Sequence, residues 1–364
     1  MTDLVAKGDP NVNNDKKDDD KDKKERKDEL FESAEVGIRK TVDNLVKIHS
    51  TVGLFDYIGK LIEKEKELGK SQRFTIVPSR NRKQGYGCTD GTRVRLKNMD
   101  ETKDYINANF IECGPSERRF IATQHPLENH YDDFWRMIYQ ETVDIVIAIF
   151  EPSVELPIYF PIEAGQFFNH GDYFVNCKKV EKFNLNNATM YTIEVVESGC
   201  ADGVLFNLIH YSNWPNEQLV EYKTLLKLIR TIQSPSKVTN GPCVVHCSDG
   251  LQQTGCLILT DYITDLMFKN VEVDISQVIK KLQSQRSMFI TNKIYCVFAV
   301  CTALTYVRIR LSRYGMAKDL KTQIDGFLKT FEKEFRAITA KKNEKVSKRE
   351  NVIDQTSTIT SLSK

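Results

Sequence analysis

The residues best suited to covalent chemistry lie at positions 244 to 256, VVHCSDGLQQTGC. Cys247 follows a Val-Val-His run and precedes Ser248, Asp249 and Gly250, the setting of a nucleophile at the end of a buried strand. A turn at Gly250, passing Leu251 and Gln252, and a helix opening at Thr254 would aim successive backbone N–H groups at one point in front of the sulfur. Such a nest binds phosphate, and with the helix dipole it lowers a thiol pKa, so Cys247 is expected to titrate below a free thiol. Six residues on, where an anion-binding loop needs a cation, stands the neutral Gln253. The plain alternative is a thiol buried at a strand end with no chemistry of its own.

The flanking sequence supplies the elements such a loop requires. Between about 74 and 215, short β-rich runs (FIAT, DIVIAIF, DYFVNC, YTIEVV) are separated by Gly, Asn and Pro, and a further strand reads PCVVH at 242–246. Helical periodicity occupies 30–68 (Ala34, Ile38, Val42, Leu45, Leu54, Ile58) and returns after Glu221 and from about Gly255 to Phe268. Beyond Ser312 a stripe of Leu320, Ile324, Phe327, Phe331, Phe335 and Ile338 predicts one more amphipathic helix. The predicted class is α/β (α+β): a central twisted mixed sheet flanked by helices, with the loop between a strand and a helix.

The 364 residues suffice for one large domain with a substantial core. A net charge of +2 gives no reason to expect nucleic acid as a partner. No apolar leader opens the chain and no run approaches eighteen apolar residues, so no membrane span is expected and the expected compartment is cytoplasmic. Nine scattered cysteines without a CxxC pair read as reduced core thiols, and no metal or cofactor is expected. Residues 15–29 hold eight acids, seven bases and no apolar side chain, which marks 1–29 as a disordered tail. The expected division is that tail, a domain over 30–312, an added helix over 313–340 and a disordered tail over 341–364. Oligomeric state is not legible.

His-Cys-x-x-Gly-x-x-Arg-Ser/Thr-Gly is the signature of the cysteine-dependent protein tyrosine phosphatases, and residues 246–255 resemble it at every fixed position except Gln253. DYINANFI (104–111) resembles that family's NYINA segment and ATQHPLENHYDDFWRMI (122–138) its TQGPL...DFWRM segment. RNRKQGYGCTDGTRVRL (80–96) resembles the substrate-recognition loop, YFP (159–161) the Tyr-Trp-Pro segment and NWPN (213–216) the Trp-Pro-Asp loop containing Trp214. These stretches fall in family order over roughly residues 35–311.

The resemblance implies a mechanism, and the departures remove most of it. It implies a thiolate nucleophile at Cys247 beside His246, an arginine at the position of Gln253, a general acid at Asn216 and a water-positioning glutamine at Ile290. An amide in place of guanidinium gives up a bidentate, charge-assisted grip on a phosphoryl group, a loss of about 10² to 10³ in rate. Asn216 cannot donate the proton that general acid catalysis needs, removing roughly 10² to 10⁴ more. Lys83 stands where an aromatic ring stacks on phosphotyrosine and Gly85 where an aspartate holds the substrate backbone. Asp249 either faces the nest and repels a dianion or turns outward; the sequence admits both. Trp135 and Trp214 read as packing, and Asn107 and Arg136 as scaffold. The expected function is a pseudophosphatase whose protein ligand carries a tyrosine-containing, phosphotyrosine or acidic segment, bound through His246, Ser248, Asp249, Gly250, Leu251, Gln252, Thr254, Lys83 and Trp214. The alternative is a weakly active phosphatase working through a phosphocysteine.

Overall fold

The structure is a computed structural model. It describes residues 33–336 apart from 70–73, 85, 115–117, 216–217 and 234–240. The expectations for both tails, for Gly85 and for Asn216 lie outside the described residues.

Eleven strands and eight helices follow one another along the described chain. Helices α1 (residues 33–51) and α2 (Leu54–Gly69) precede β1 (Phe74–Thr75), β2 (Cys88–Thr89), β3 (Arg93–Arg95), β4 (Tyr105–Glu112) and β5 (Arg119–Gln124). Helix α3 (Tyr131–Gln140) leads to β6 (Ile145–Ile149), β7 (Phe167–His170), β8 (Tyr173–Lys182), β9 (Ala188–Glu197) and β10 (Gly203–Tyr211). Then come α4 (Tyr222–Gln233), β11 (Cys243–Cys247), α5 (Gln252–Phe268), α6 (Ile275–Gln285), α7 (Lys293–Tyr314) and α8 (residues 318–336).

Nine strands form one mixed sheet in the order β3-β4-β5-β11-β6-β10-β9-β8-β7. β11 pairs in parallel with both β5 and β6, and β6 with β10; the outer pairs are antiparallel. The parallel centre explains why every residue of CVVHC and IVIAI is buried: both of their faces are covered. One core holds side chains of α1, α2 and α4 to α8, and the other lies under α3 with Tyr159 and Phe160.

Helix α8 docks on this domain. Phe331 lies 4.9 Å from the His49 ring and 5.9 Å from Phe55, Arg39 pairs with Asp319 at 2.6 Å, and Leu320 and Ile324 are fully buried. The start expected for an added helix at 313 falls in the last turn of α7. Among the described residues, Lys293–Arg313 in α7 is long and apolar enough to cross a membrane by length and composition, although its apolar residues are not consecutive. Its most apolar stretch is 78% buried inside the domain, as befits a central core helix.

Candidate functional site

Side chains alternate along β11, so neighbouring residues serve opposite faces of the sheet. Cys243, Val245 and Cys247 enter the core beside α5, whereas Val244 enters the core beneath α3. His246 therefore points away from Cys247, into an aromatic layer. Its Nε2 lies 2.7 Å from the Tyr159 hydroxyl and its Nδ1 3.3 Å from the Cys247 carbonyl. The tautomer that satisfies both contacts carries its proton on Nδ1. Burial, with His125 nearby, pushes the ring's pKa well below the usual histidine range, so it is neutral. His246 fixes the strand end without placing charge next to the sulfur.

The loop after Cys247 is held from two sides. Gly250 has φ +67°, and a Cβ there would meet the Thr123 carbonyl oxygen at 2.1 Å, so only glycine fits. On the sheet side the His125 N–H donates to the carbonyls of Cys247 (3.0 Å) and Ser248 (3.2 Å). From behind comes Arg286, 2% exposed, just past α6. Its guanidinium donates to the carbonyls of Gly250 (3.1 Å) and Asp249 (3.3 Å) and to the side-chain oxygens of Asn109 and Asn107 (both 2.8 Å). Asn107 in turn donates to Asn81 at 2.9 Å. Sequence reasoning passed over Arg286, although an arginine amid Met288, Phe289 and Ile290 is a signal of a buried, fully bonded cation.

Inside the loop, the carboxylate of Asp249 faces the sulfur. The Cys247 thiol donates to its Oδ1 at 3.5 Å, the Leu251 N–H donates to the same oxygen at 3.0 Å, and Oδ2 lies 2.7 Å from Lys83 Nζ. Cys247 has no exposed surface. Burial, and then the Asp249 charge, raise its pKa; the Thr254 hydroxyl and N–H and the Leu251 N–H pull it down but do not prevail. The expected lowering is thus reversed. The nest exists, but an anion already beside the thiol opposes a second negative charge on sulfur.

Gln253 is 3% exposed, and its Nε2 donates to the Trp214 carbonyl at 3.4 Å. Trp214 is itself buried, its indole donating to the Gln218 carbonyl at 2.9 Å with its ring 6.1 Å from Tyr295. Gln252 ties the loop to the segment after α6, donating to Thr291 Oγ1 at 3.0 Å and accepting from the Asn292 N–H at 3.1 Å. Ile290, with φ +49°, is fully buried in the core, and its Cβ would stand 2.9 Å from a Cβ on Gly255. Its side chain cannot orient a water.

Lys83 forms the rim. Neighbouring Arg82 donates to the carbonyls of His125 (2.7 Å), Glu155 (2.8 Å) and Pro126 (2.8 Å), which anchors the segment. Lys83 Nζ also lies 5.3 Å from the Tyr86 ring. A small gap beside the loop, lined by Lys83, Tyr86, Asn107, Asp249, Leu251 and Arg286, leaves about 10 Å³. A group with metal-ligating spacing, His130, Asp132 and Asp133, lies at the start of α3, where Arg80 pairs with Asp133 at 2.7 Å.

A cysteine at the end of a central parallel strand, a glycine turn and a helix opening over the sulfur define a phosphate-loop domain of the cysteine phosphatase type. The protein-tyrosine phosphatase family profile matches residues 77–304, and the chain belongs to that family. Receptor-type tyrosine-protein phosphatase F of Mus musculus is 28% identical over 277 residues, covering 72% of this chain and 14% of that protein. Receptor-type tyrosine-protein phosphatase zeta of Rattus norvegicus is 29% identical over 224 residues, covering 57% and 10%. The chain thus spans only a small part of the length of these relatives.

Proposed function

We propose that this chain is a pseudophosphatase: a phosphatase fold that binds a protein segment carrying tyrosine or acidic residues at the rim of its cleft and does not turn it over. The observation that carries this reading is Gln253, a neutral amide committed to the Trp214 carbonyl where the family signature has a guanidinium. The nearby cations do not substitute for it, since Arg286 is bonded to amide and carbonyl oxygens and Lys83 to Asp249. A dianion brought within about 4 Å of the Asp249 carboxylate would meet repulsion of about 4 kcal/mol per pair of unit charges at an effective dielectric near 20. Asn216 and Ile290 remove the proton donor and the water-orienting amide.

The rim is the part of the cleft fit for recognition. Lys83 is half exposed and, with one ammonium N–H held by Asp249, keeps others to donate to an acidic side chain outside the loop, while Tyr86 offers an aromatic surface. A cytoplasmic location suits nine cysteines of which none is paired. The test is calorimetric binding of acidic peptides in matched tyrosyl and phosphotyrosyl forms to the full chain and to its Lys83→Glu variant. This reading requires equal or weaker binding of the phosphorylated form and loss of binding in the variant. Phosphorylation that strengthens binding tenfold, or binding indifferent to Lys83, contradicts it.

A further inference from the structure

Within the loop, Asp249 does more than close a local turn. An Asx turn would account for its bond to the Leu251 N–H. It would not account for the thiol of Cys247 on the same oxygen or for Lys83, which arrives from 166 residues away to hold the other oxygen. The carboxylate is thus bonded by three groups, the Cys247 thiol among them, and its side chain is only 15% exposed. We propose that Asp249 is an internal anion, occupying the place in the loop that an oxyanion would take and so setting the ligand specificity of the cleft against phosphate, sulfate and vanadate. Lys83 is its counter-ion, and Arg286 holds the backbone from which it projects.

Lys83 neutralises the carboxylate, Arg286 lies behind the loop, and His246 is neutral on the other face. An oxyanion enters only if Asp249 leaves, and Asp249 leaves only by giving up Lys83 and a backbone N–H together.

The test is the rate of Cys247 alkylation by iodoacetamide at pH 7.5 on the full chain, read by peptide mass spectrometry, with and without sulfate or vanadate. In the wild type neither anion slows the reaction. In Asp249→Ser the rate rises at least about tenfold, the change expected for one unit in thiol pKa, and both anions slow it saturably. Asp249→Asn, which keeps the shape and removes the charge, raises the rate without gaining anion protection. Saturable protection of the wild type overturns the proposal without any variant having to fold, and faster alkylation of Asp249→Ser without anion protection overturns it as well. Alkylation of exposed Cys200 and an unchanged Tm serve as the folding controls. The inference rests on the loop and not on absent catalysis: anion protection of the wild type without hydrolysis would sink it alone, whereas Cys247-dependent hydrolysis would sink the pseudophosphatase reading.

Discussion

The side-chain amide of Gln253 donates to the main-chain carbonyl of Trp214 at 3.4 Å, joining the first turn of α5 to the Trp-Pro-Asn segment. Trp214 and Tyr295 are joined in turn through Gln218, whose carbonyl accepts from both the indole and the phenol. The residue that departs most from the family signature therefore has a structural use. It ties Trp214 to the first turn of α5 with a neutral group.

This bond separates affinity from turnover. In an Asp249→Ser background, the further change Gln253→Arg is expected to tighten vanadate about tenfold, the worth of roughly one charge-assisted contact. Hydrolysis stays at background, because Asn216 has no acidic proton to give. Protection of Cys247 against alkylation measures the first effect and p-nitrophenol release the second. Substantial turnover from these two changes would remove Asn216 from the account.

Arg286 is expected to govern stability more than chemistry. Arg286→Ala strips the donors from Asn107, Asn109 and the carbonyls of Gly250 and Asp249, and should cost about 3 kcal/mol or more in urea unfolding. Arg286→Lys should recover only part of this, since a point charge cannot meet four acceptors held in a guanidinium geometry.

Stability should fall on both sides of neutrality. Burial lowers the pKa of His125, to about 4, and of His210 and His246. The unfolded chain takes up protons below about 6.5 that the fold refuses, so these groups stabilise above that pH and Tm declines as pH falls from 6.5 to 5. The thiols of Cys243, Cys247 and Cys256 are raised by burial. The unfolded chain releases their protons above about 8.5 while the fold retains them, so Tm declines again toward pH 10. A flat profile from pH 5 to 10 would show that these groups are not buried as described.

The strand ending at Cys247, the helix after it and the sheet between were legible because period and signature agree there. Period two along VVHC also carries His246 to the opposite face, a consequence that follows from the pattern but needs the sheet's two cores to be seen. The direction of Asp249 was not legible. It depends on Lys83, a contact 166 residues away, and that direction reverses the expected thiol pKa. Ile290 was legible from the residue types only as an apolar side chain in a polar place; its positive φ and its packing on Gly255 are properties of the turn after α6 and have no pattern in the residue types. The α8 stripe predicted a helix, whereas its docking depends on aromatic contacts from His49 and Phe55.

The most direct measurement is hydrolysis of p-nitrophenyl phosphate and of a phosphotyrosyl peptide by the purified full chain beside its Cys247→Ser variant, from pH 5 to 8. If Gln253, Asn216 and Ile290 stand in the three catalytic places, as the family resemblance implies, and with Asp249 against the sulfur, the two proteins should release phosphate at the same background rate across that range. A rate for the wild type that exceeds the variant's and saturates with substrate would contradict the central claim.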